Sequence, residues 1–152
     1  MTAAGYSQME GELRHLKSVE RPAIIRAISE ARDHGDLSEN AEYHAAKDRQ
    51  GWIESRILEL EDKVSRAEVI DVARLTGDRV KFGATVKLAD EDSGETLTYQ
   101  IVGADESDIR SGRLSITSPL ARALIGKGKG EEVDVTTPGG SRTYEVVSVS
   151  FG

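Results

Sequence analysis

Residues 33–44 read DHGDLSENAEYH and carry two carboxylates, Asp36 and Glu39, three positions apart. They fall in a break between two long charged stretches of helical spacing. Two chemistries suit acids so placed. One is helix capping. In Asp-x-x-Glu, Asp36 would cap the second helix while Glu39, at the third helical position, reaches back to the cap amide, and both acids suit the positive end of the helix dipole. The other is a hard cation. Mg2+ accepts one or two protein carboxylates and keeps water or phosphate oxygens at its other positions. This pair therefore cannot build a tight all-protein site, but it can complete one that another molecule has half built. Capping is the commoner use of the pattern. The two roles are compatible, since a capped turn would pre-position the acids.

Other reactive side chains are more scattered. His15, His34 and His44 have no zinc-ligand spacing, which calls for three or four ordered ligands, and they read as solvated helix residues. Arg26, Arg32, Lys47, Arg49 and Arg56 lie along the helical stretches. Arg32 and Lys47 are nearest the acids and could hold a nucleic-acid phosphate, although most such cations form intrahelical pairs or a solvated face. Tyr43 and Trp52 are expected to pack against the helical seam. The PGGS at 138–141 reads as a turn between strands rather than an anion nest. No phosphate-binding loop, dinucleotide fingerprint or nucleophile–histidine pattern is present.

The elements that must position the acids follow from hydrophobic period. In the first stretch the apolar positions are Met9, Leu13, Leu16, then Ile24, Ile28, Ala31; in the second they are Ile53, Ile57, Leu60, Val64, Ala67. Steps of four and three make a heptad seam. The interval from Leu16 to Ile24 is one residue longer than a heptad and contains Pro22, which predicts a kink or restart. Gly35 suits the left-handed conformation that ends a helix. The expectation is an antiparallel helical coiled-coil hairpin over 1–74 with its tip at 35–39.

From Gly77 the period changes to two. ATVKLAD and ETLTYQIV flank EDSG as a β-hairpin, RLSIT is a short strand, and EEVDVTT and RTYEVVSVS flank PGGS as a second hairpin. In SPLARALIG, Ser118 is an N-cap, Pro119 the first helical residue and Gly126 the stop. The fold class is α+β in two domains, with a boundary at 74–79 and an antiparallel sheet with one short helix over 77–152.

Composition narrows the function. The net charge is −7, spread over both halves, so the chain as a whole is not a free nucleic-acid binder. There is no cysteine, which removes disulfides, thiol catalysis and cysteine-ligated zinc and fits a reducing cytoplasm. The N-terminal residues hold no long apolar run, so neither a signal peptide nor a membrane span is expected. A cytoplasmic protein is expected, with no membrane association.

The motif GDLSENAEY, within the stretch ELRHLKSVERPAIIRAISEARDHGDLSENAEYHAAKDRQGWIESRILELEDKVSRAEVID, resembles the N-terminal coiled coil of the bacterial transcript cleavage factors of the Gre family. SPLARALIGKGKGEEVDVTTPGG resembles that family's C-terminal domain. The resemblance runs from about Gly5 to Phe151. It implies an FKBP-like C-terminal domain that docks at the rim of the RNA polymerase secondary channel, with Ser118, Pro119 and Leu120 on or beside the docking surface. It implies a hairpin that enters the channel. Its tip acids, Asp36 and Glu39, would help hold a catalytic Mg2+ and its attacking water in the polymerase's own active site, promoting cleavage of backtracked RNA. Arg32 and Lys47 match the family's basic residues near the tip and would contact that RNA; lysine at 47 keeps the charge but not bidentate phosphate recognition. The free protein would hold no cofactor or small-molecule ligand, act as a monomer, and not be an enzyme itself. The opening MTAAG is read as lacking the family's Pro and Thr-x-x-Gly start, which leaves the first helical turn unassigned.

Three other classes compete. A Gre-like channel binder that inhibits polymerase without promoting cleavage would differ in its tip acids. A stand-alone Mg2+-dependent nuclease would need an enclosed pocket. A prolyl isomerase would need more aromatic lining than Phe82, Tyr99, Tyr144 and Phe151 supply.

Overall fold

The computed structural model describes residues 1–34 and 40–152 of the chain. They form two units, Tyr6–Glu68 and Met1–Gly5 with Val69–Gly152. Residues 1–5 and 69–74, which the sequence reading gave to the hairpin, group with the C-terminal unit.

In the helical unit, α1 (Ala3–His15) runs into a π turn at Leu16–Glu20, followed by α2 (Arg21–Arg32) and, after the connecting segment, α3 (Ala41–Arg66). The π turn answers the extra residue in the heptad spacing. The Arg21 amide donates to the Leu16 carbonyl five residues back, so one residue is added without shifting the apolar stripe. Pro22 explains why the widening falls here, because its ring would meet the carbonyl four residues back in a regular helix.

The seam is as spaced. Met9, Leu16, Ile28 and Ala31 are buried, as are Ile53, Ile57 and Leu60 of α3, while Leu13, Ile24, Val64 and Ala67 are half-buried. Ala67 itself lies just past the helix, in extended conformation. The helices run antiparallel: going down one side through Ala31, Arg21 and Glu12, the hydrogen-bonded partners climb through Asn40, Glu54 and Arg56. Trp52 departs from its expected place. It is 50% exposed, with the Arg49 guanidinium 4.4 Å over its ring, so it lies outside the seam.

The other unit is built on a five-stranded sheet in the order β3-β2-β1-β5-β4. The strands are β1 (Thr85–Asp90), β2 (Thr96–Val102), β3 (Arg113–Ser115), β4 (Glu132–Thr137) and β5 (Gly140–Ser150). Both expected hairpins, β1–β2 and β4–β5, are present. The sheet is antiparallel except at β3, which pairs parallel with β2. The connection through two short 3-10 turns, Ala104–Glu106 and Ile109–Ser111, is long enough to return the chain in the same direction. Val86, Leu88, Ile101, Val133, Val135 and Val146 alternate inward and pack with Leu124 of α4 (Pro119–Leu124).

The first residues are held by a buried carboxylate. Glu106 is 6% exposed. Its oxygens accept the Thr2 amide at 3.0 and 3.1 Å, the Thr2 hydroxyl at 2.7 Å and the Gly103 amide at 2.9 Å. The Thr2 hydroxyl oxygen in turn accepts the Gly5 amide at 3.0 Å, which caps α1. Thr2 and Gly5 are thus a Thr-x-x-Gly opening, and the reading of this start as divergent is corrected. Gly5 is required by contact: a β-carbon there would overlap the Glu106 side chain. A backbone bond from Ile70 to the Met1 carbonyl, 2.9 Å, completes the attachment and explains why 69–74 group here.

Asp90 is a second buried acid. It accepts the Asp92 amide at 2.9 Å in the β1–β2 turn and the Arg142 guanidinium at 2.8 Å. The Asp92 amide, and then Arg142, hold its carboxyl below the usual range against the opposing effect of burial. A depressed folded value gives stability that is full above the unfolded value, about 3.9, and that fades as pH falls through the folded one. Asp90→Asn is therefore expected to be less stable than the parent at neutral pH, with the difference shrinking below about pH 4. Urea unfolding of both proteins across that range checks this, and a constant difference would show that the carboxylate charge contributes nothing.

Candidate functional site

The connection between α2 and α3 is organised by Asn40. Its side-chain oxygen accepts the Tyr43 amide at 3.0 Å, which makes it the N-cap of α3. Its amide nitrogen donates to the Ala31 carbonyl of α2 at 2.6 Å. One partner is a donor and the other an acceptor, so together they fix which way the amide points. The same carbonyl receives the His34 amide at 3.2 Å, so the end of α2 is tied off within the turn that follows it.

This corrects the capping expectation. The second helix begins at Ala41, and its cap is Asn40, not Asp36. The residue was missed because Asp-x-x-Glu fitted a capping box so well. The usable signal was an asparagine immediately before the uninterrupted helical run AEYHAAKDRQ. Asp36 and Glu39 themselves lie outside the described residues.

Arg32 and Lys47 are both exposed and stand on facing helices near this end. Together with Ile25, Ile28, Ser29 and Gln50 they line an open groove of about 250 Å3. Arg32 also lies 6.0 Å from the Tyr43 ring centre, and Lys47 donates to the Gln50 side-chain oxygen at 3.2 Å. Neither cation forms an ion pair among the described residues. Arg14 and Arg26 are likewise without one among the described residues, while Lys17, Arg21, Arg49, Arg56 and Arg66 each meet a carboxylate. Tyr43 stacks edge-on with His44 and is half-buried. His34 sits 3.3 Å from Glu42 at the surface. Among the described residues no group of three or more His, Cys, Asp or Glu side chains gathers where a metal ion could be held.

In the C-terminal unit, Ser118 caps α4 by accepting the Ala121 amide at 3.2 Å, with Pro119 at the first helical position. Pro119 is exposed, Ser118 half-buried, and Leu120 half-buried and packed against the core. Ile125, just past the helix and 42% exposed, is an apolar surface residue that sequence reasoning did not single out. No helix among the described residues is long and apolar enough to cross a membrane.

Residues 1–69 match a protein family described as "Transcription elongation factor, N-terminal", and residues 75–151 match one described as "Transcription elongation factor, GreA/GreB, C-term". A transcription elongation factor GreA of Phenylobacterium zucineum is 62% identical over 99% of this chain and 96% of its own length. One of Rhodospirillum rubrum is 64% identical over 100% of this chain and 97% of its own. Among solved structures, GreA factor homolog 1 of Thermus thermophilus is 30% identical, covers 99% of this chain and 97% of that one, and superposes with a TM-score of 0.44.

The double role of Asn40 is testable by two substitutions. Asn40→Ala removes the cap and the bond to Ala31, and should cost about 0.5–2 kcal/mol. Asn40→Asp keeps the cap acceptor but places a carboxylate oxygen against the Ala31 carbonyl, so it should fall between Asn40→Ala and the parent in thermal unfolding followed by circular dichroism. Equal stability of Asn40→Asp and the parent would show that the Ala31 bond adds nothing.

Proposed function

This chain belongs to the GreA/GreB family of transcription elongation factors, and we propose that it stimulates RNA polymerase to cleave its own backtracked transcript. In this reading the helical hairpin enters the polymerase secondary channel and presents Asp36 and Glu39 at the polymerase active site. The C-terminal unit docks at the channel rim through the surface around Ser118, Pro119 and Leu120. The reaction is the polymerase's, and the chain is a non-enzymatic partner acting in trans in the cytoplasm as a monomer.

The observation that carries the proposal is the cap. Asn40 satisfies the start of α3, so that helix does not require Asp36 or Glu39. Two carboxylates between antiparallel helices are then available for a cation. Their donor set fits Mg2+, which takes hard oxygen ligands but few of them from one protein. When bound, Mg2+ lowers the pKa of a coordinated water and stabilises charge on a phosphate under in-line attack. The chain's own contribution is the two acidic side chains, carried on the segment that joins α2 to α3. Arg32 and Lys47, exposed and without a carboxylate partner among the described residues, suit the phosphates of the RNA 3′ segment.

Asp36→Asn and Glu39→Gln remove the charge with little change of shape, and an amide oxygen is a far poorer ligand for a hard cation. Both variants are expected to bind polymerase nearly as the parent does. Both should lose most of the stimulated cleavage of a stalled, backtracked complex, with part of the loss recovered at high Mg2+. Full cleavage by both variants would sink the metal role. Binding by the parent without shortened RNA would favour the inhibitory reading. Leu120 is a poor reporter of docking because it packs in the core; Pro119 and Ile125 are the exposed positions to vary.

A further inference from the structure

The two edges of the five-stranded sheet are finished differently. At β3 the edge is three residues long, and Asp108 closes it by exchanging two backbone bonds of 2.9 Å with Arg113. At β4 it is six residues long and open. The ladder shows which of its groups are free. A bulge at Gly130 starts the pairing: the Gly130 amide donates to the Val146 carbonyl at 2.8 Å, and the Val146 amide to the Glu131 carbonyl at 2.9 Å. Bonds to β5 then fall at every second residue, Val133 and Val135, so Glu132, Asp134 and Thr136 turn their amides and carbonyls outward. No hydrogen bond reaches these outward groups among the described residues.

The side chains of the same three residues are exposed on the outer face of the sheet. Glu132 stands directly opposite Glu145, at a position where no backbone bond joins the strands and side chains come closest. Asp134 follows it and accepts the Thr143 hydroxyl at 2.7 Å. Glu91 shares a hydrogen bond with Glu132, and this, with desolvation and the neighbouring acids, raises its carboxyl above the usual range. None of these four acids forms an ion pair among the described residues.

We propose that the β4 edge docks an extended basic segment of a partner protein, which joins the sheet as a sixth strand carrying lysine or arginine at alternate positions. The outward amides and carbonyls of Glu132, Asp134 and Thr136 pair with that strand and supply affinity. The acids select its side chains, because every second residue of the added strand stands on their face. The residues between lie on the side of Val133 and Val135, which are buried, so apolar ones suit them. A second copy of this chain is the wrong occupant, since pairing β4 with itself gathers the acids of both copies. A cationic strand instead relieves a like-charge contact that weakens the free sheet. The site involves neither the helical hairpin nor RNA.

The test is amide NMR of the full chain titrated with a capped peptide of alternating lysine and valine, about as long as β4. The controls are the same peptide with glutamate for lysine, and the lysine peptide with every second backbone amide methylated, in both phases. The lysine peptide should shift the amide signals of Glu132, Asp134 and Thr136 more than those of Val133 and Val135, which are already bonded. One methylated phase should lose binding, because its blocked amides face β4. Glu132→Lys should weaken the lysine peptide about fivefold. It should also melt no lower than the parent, because its new charge faces Glu145; Glu132→Gln should act in the same direction to a smaller extent.

Unchanged binding by both methylated peptides would overturn the proposal and leave charge attraction alone. Equal binding of the glutamate peptide, or no binding of the lysine peptide, would overturn it as well. Protection of the same amides as the free chain is concentrated would give the edge to a second copy.

Discussion

Two antiparallel helices have only one interface, and that constraint governs the helical unit. Each helix can bury a single stripe, so Met9, Leu16, Ile28, Ala31, Ile53, Ile57 and Leu60 carry nearly all of its apolar burial. Register must then be fixed by polar groups along the stripe edges. Arg21 meets Glu54 through two parallel bonds of 2.8 and 2.9 Å, and Arg56 meets Glu12 in the same way at 2.8 and 3.0 Å. The pairing with Arg21 lowers the Glu54 carboxyl, and the pairing with Glu54 raises the Arg21 guanidinium. Both pairs are solvent-accessible, so each adds little stability alone. Their value is directional, because a forked bond is lost if either helix slides by one residue.

The C-terminal unit solves a different problem, the attachment of a chain start. A carboxylate buried as deeply as Glu106 needs its lone pairs filled, and Thr2 and Gly103 fill them. The attachment leaves no room for a side chain at residue 5. Five residues far from the sheet in sequence thereby become part of its unit. Asp90 uses the same principle at a turn, with the Asp92 amide and Arg142 as partners.

Periodicity made the helices, the two hairpins and the capped short helix legible in the sequence. The positions of Ser118, Pro119 and the seam residues follow from local rules that tertiary structure did not override. What was not legible depended on distance in sequence. Glu106 lies 104 residues from Thr2, and no local pattern announces that contact. The parallel pairing of β3 depends on a crossover whose direction composition does not encode. The cap of α3 was misassigned because two acceptable caps stood four residues apart, and Trp52 was misplaced because its ring is covered by Arg49, one turn earlier on the same helix. Asp36 and Glu39 drew notice by residue type and spacing, which fit a capping box as well as a cation; the metal role came from the family resemblance.

The π turn at Leu16–Glu20 separates two quantities that an ordinary helix locks together. Inserting one residue into a regular α-helix lengthens it by about 1.5 Å and rotates everything beyond by about 100°. An insertion absorbed as a π turn adds chain while leaving the apolar stripe in phase. Chain length and facing are thereby uncoupled: the residue added beside Pro22 is taken up in the wider turn and leaves the side chains of α2 on the face that the seam of α1 sets.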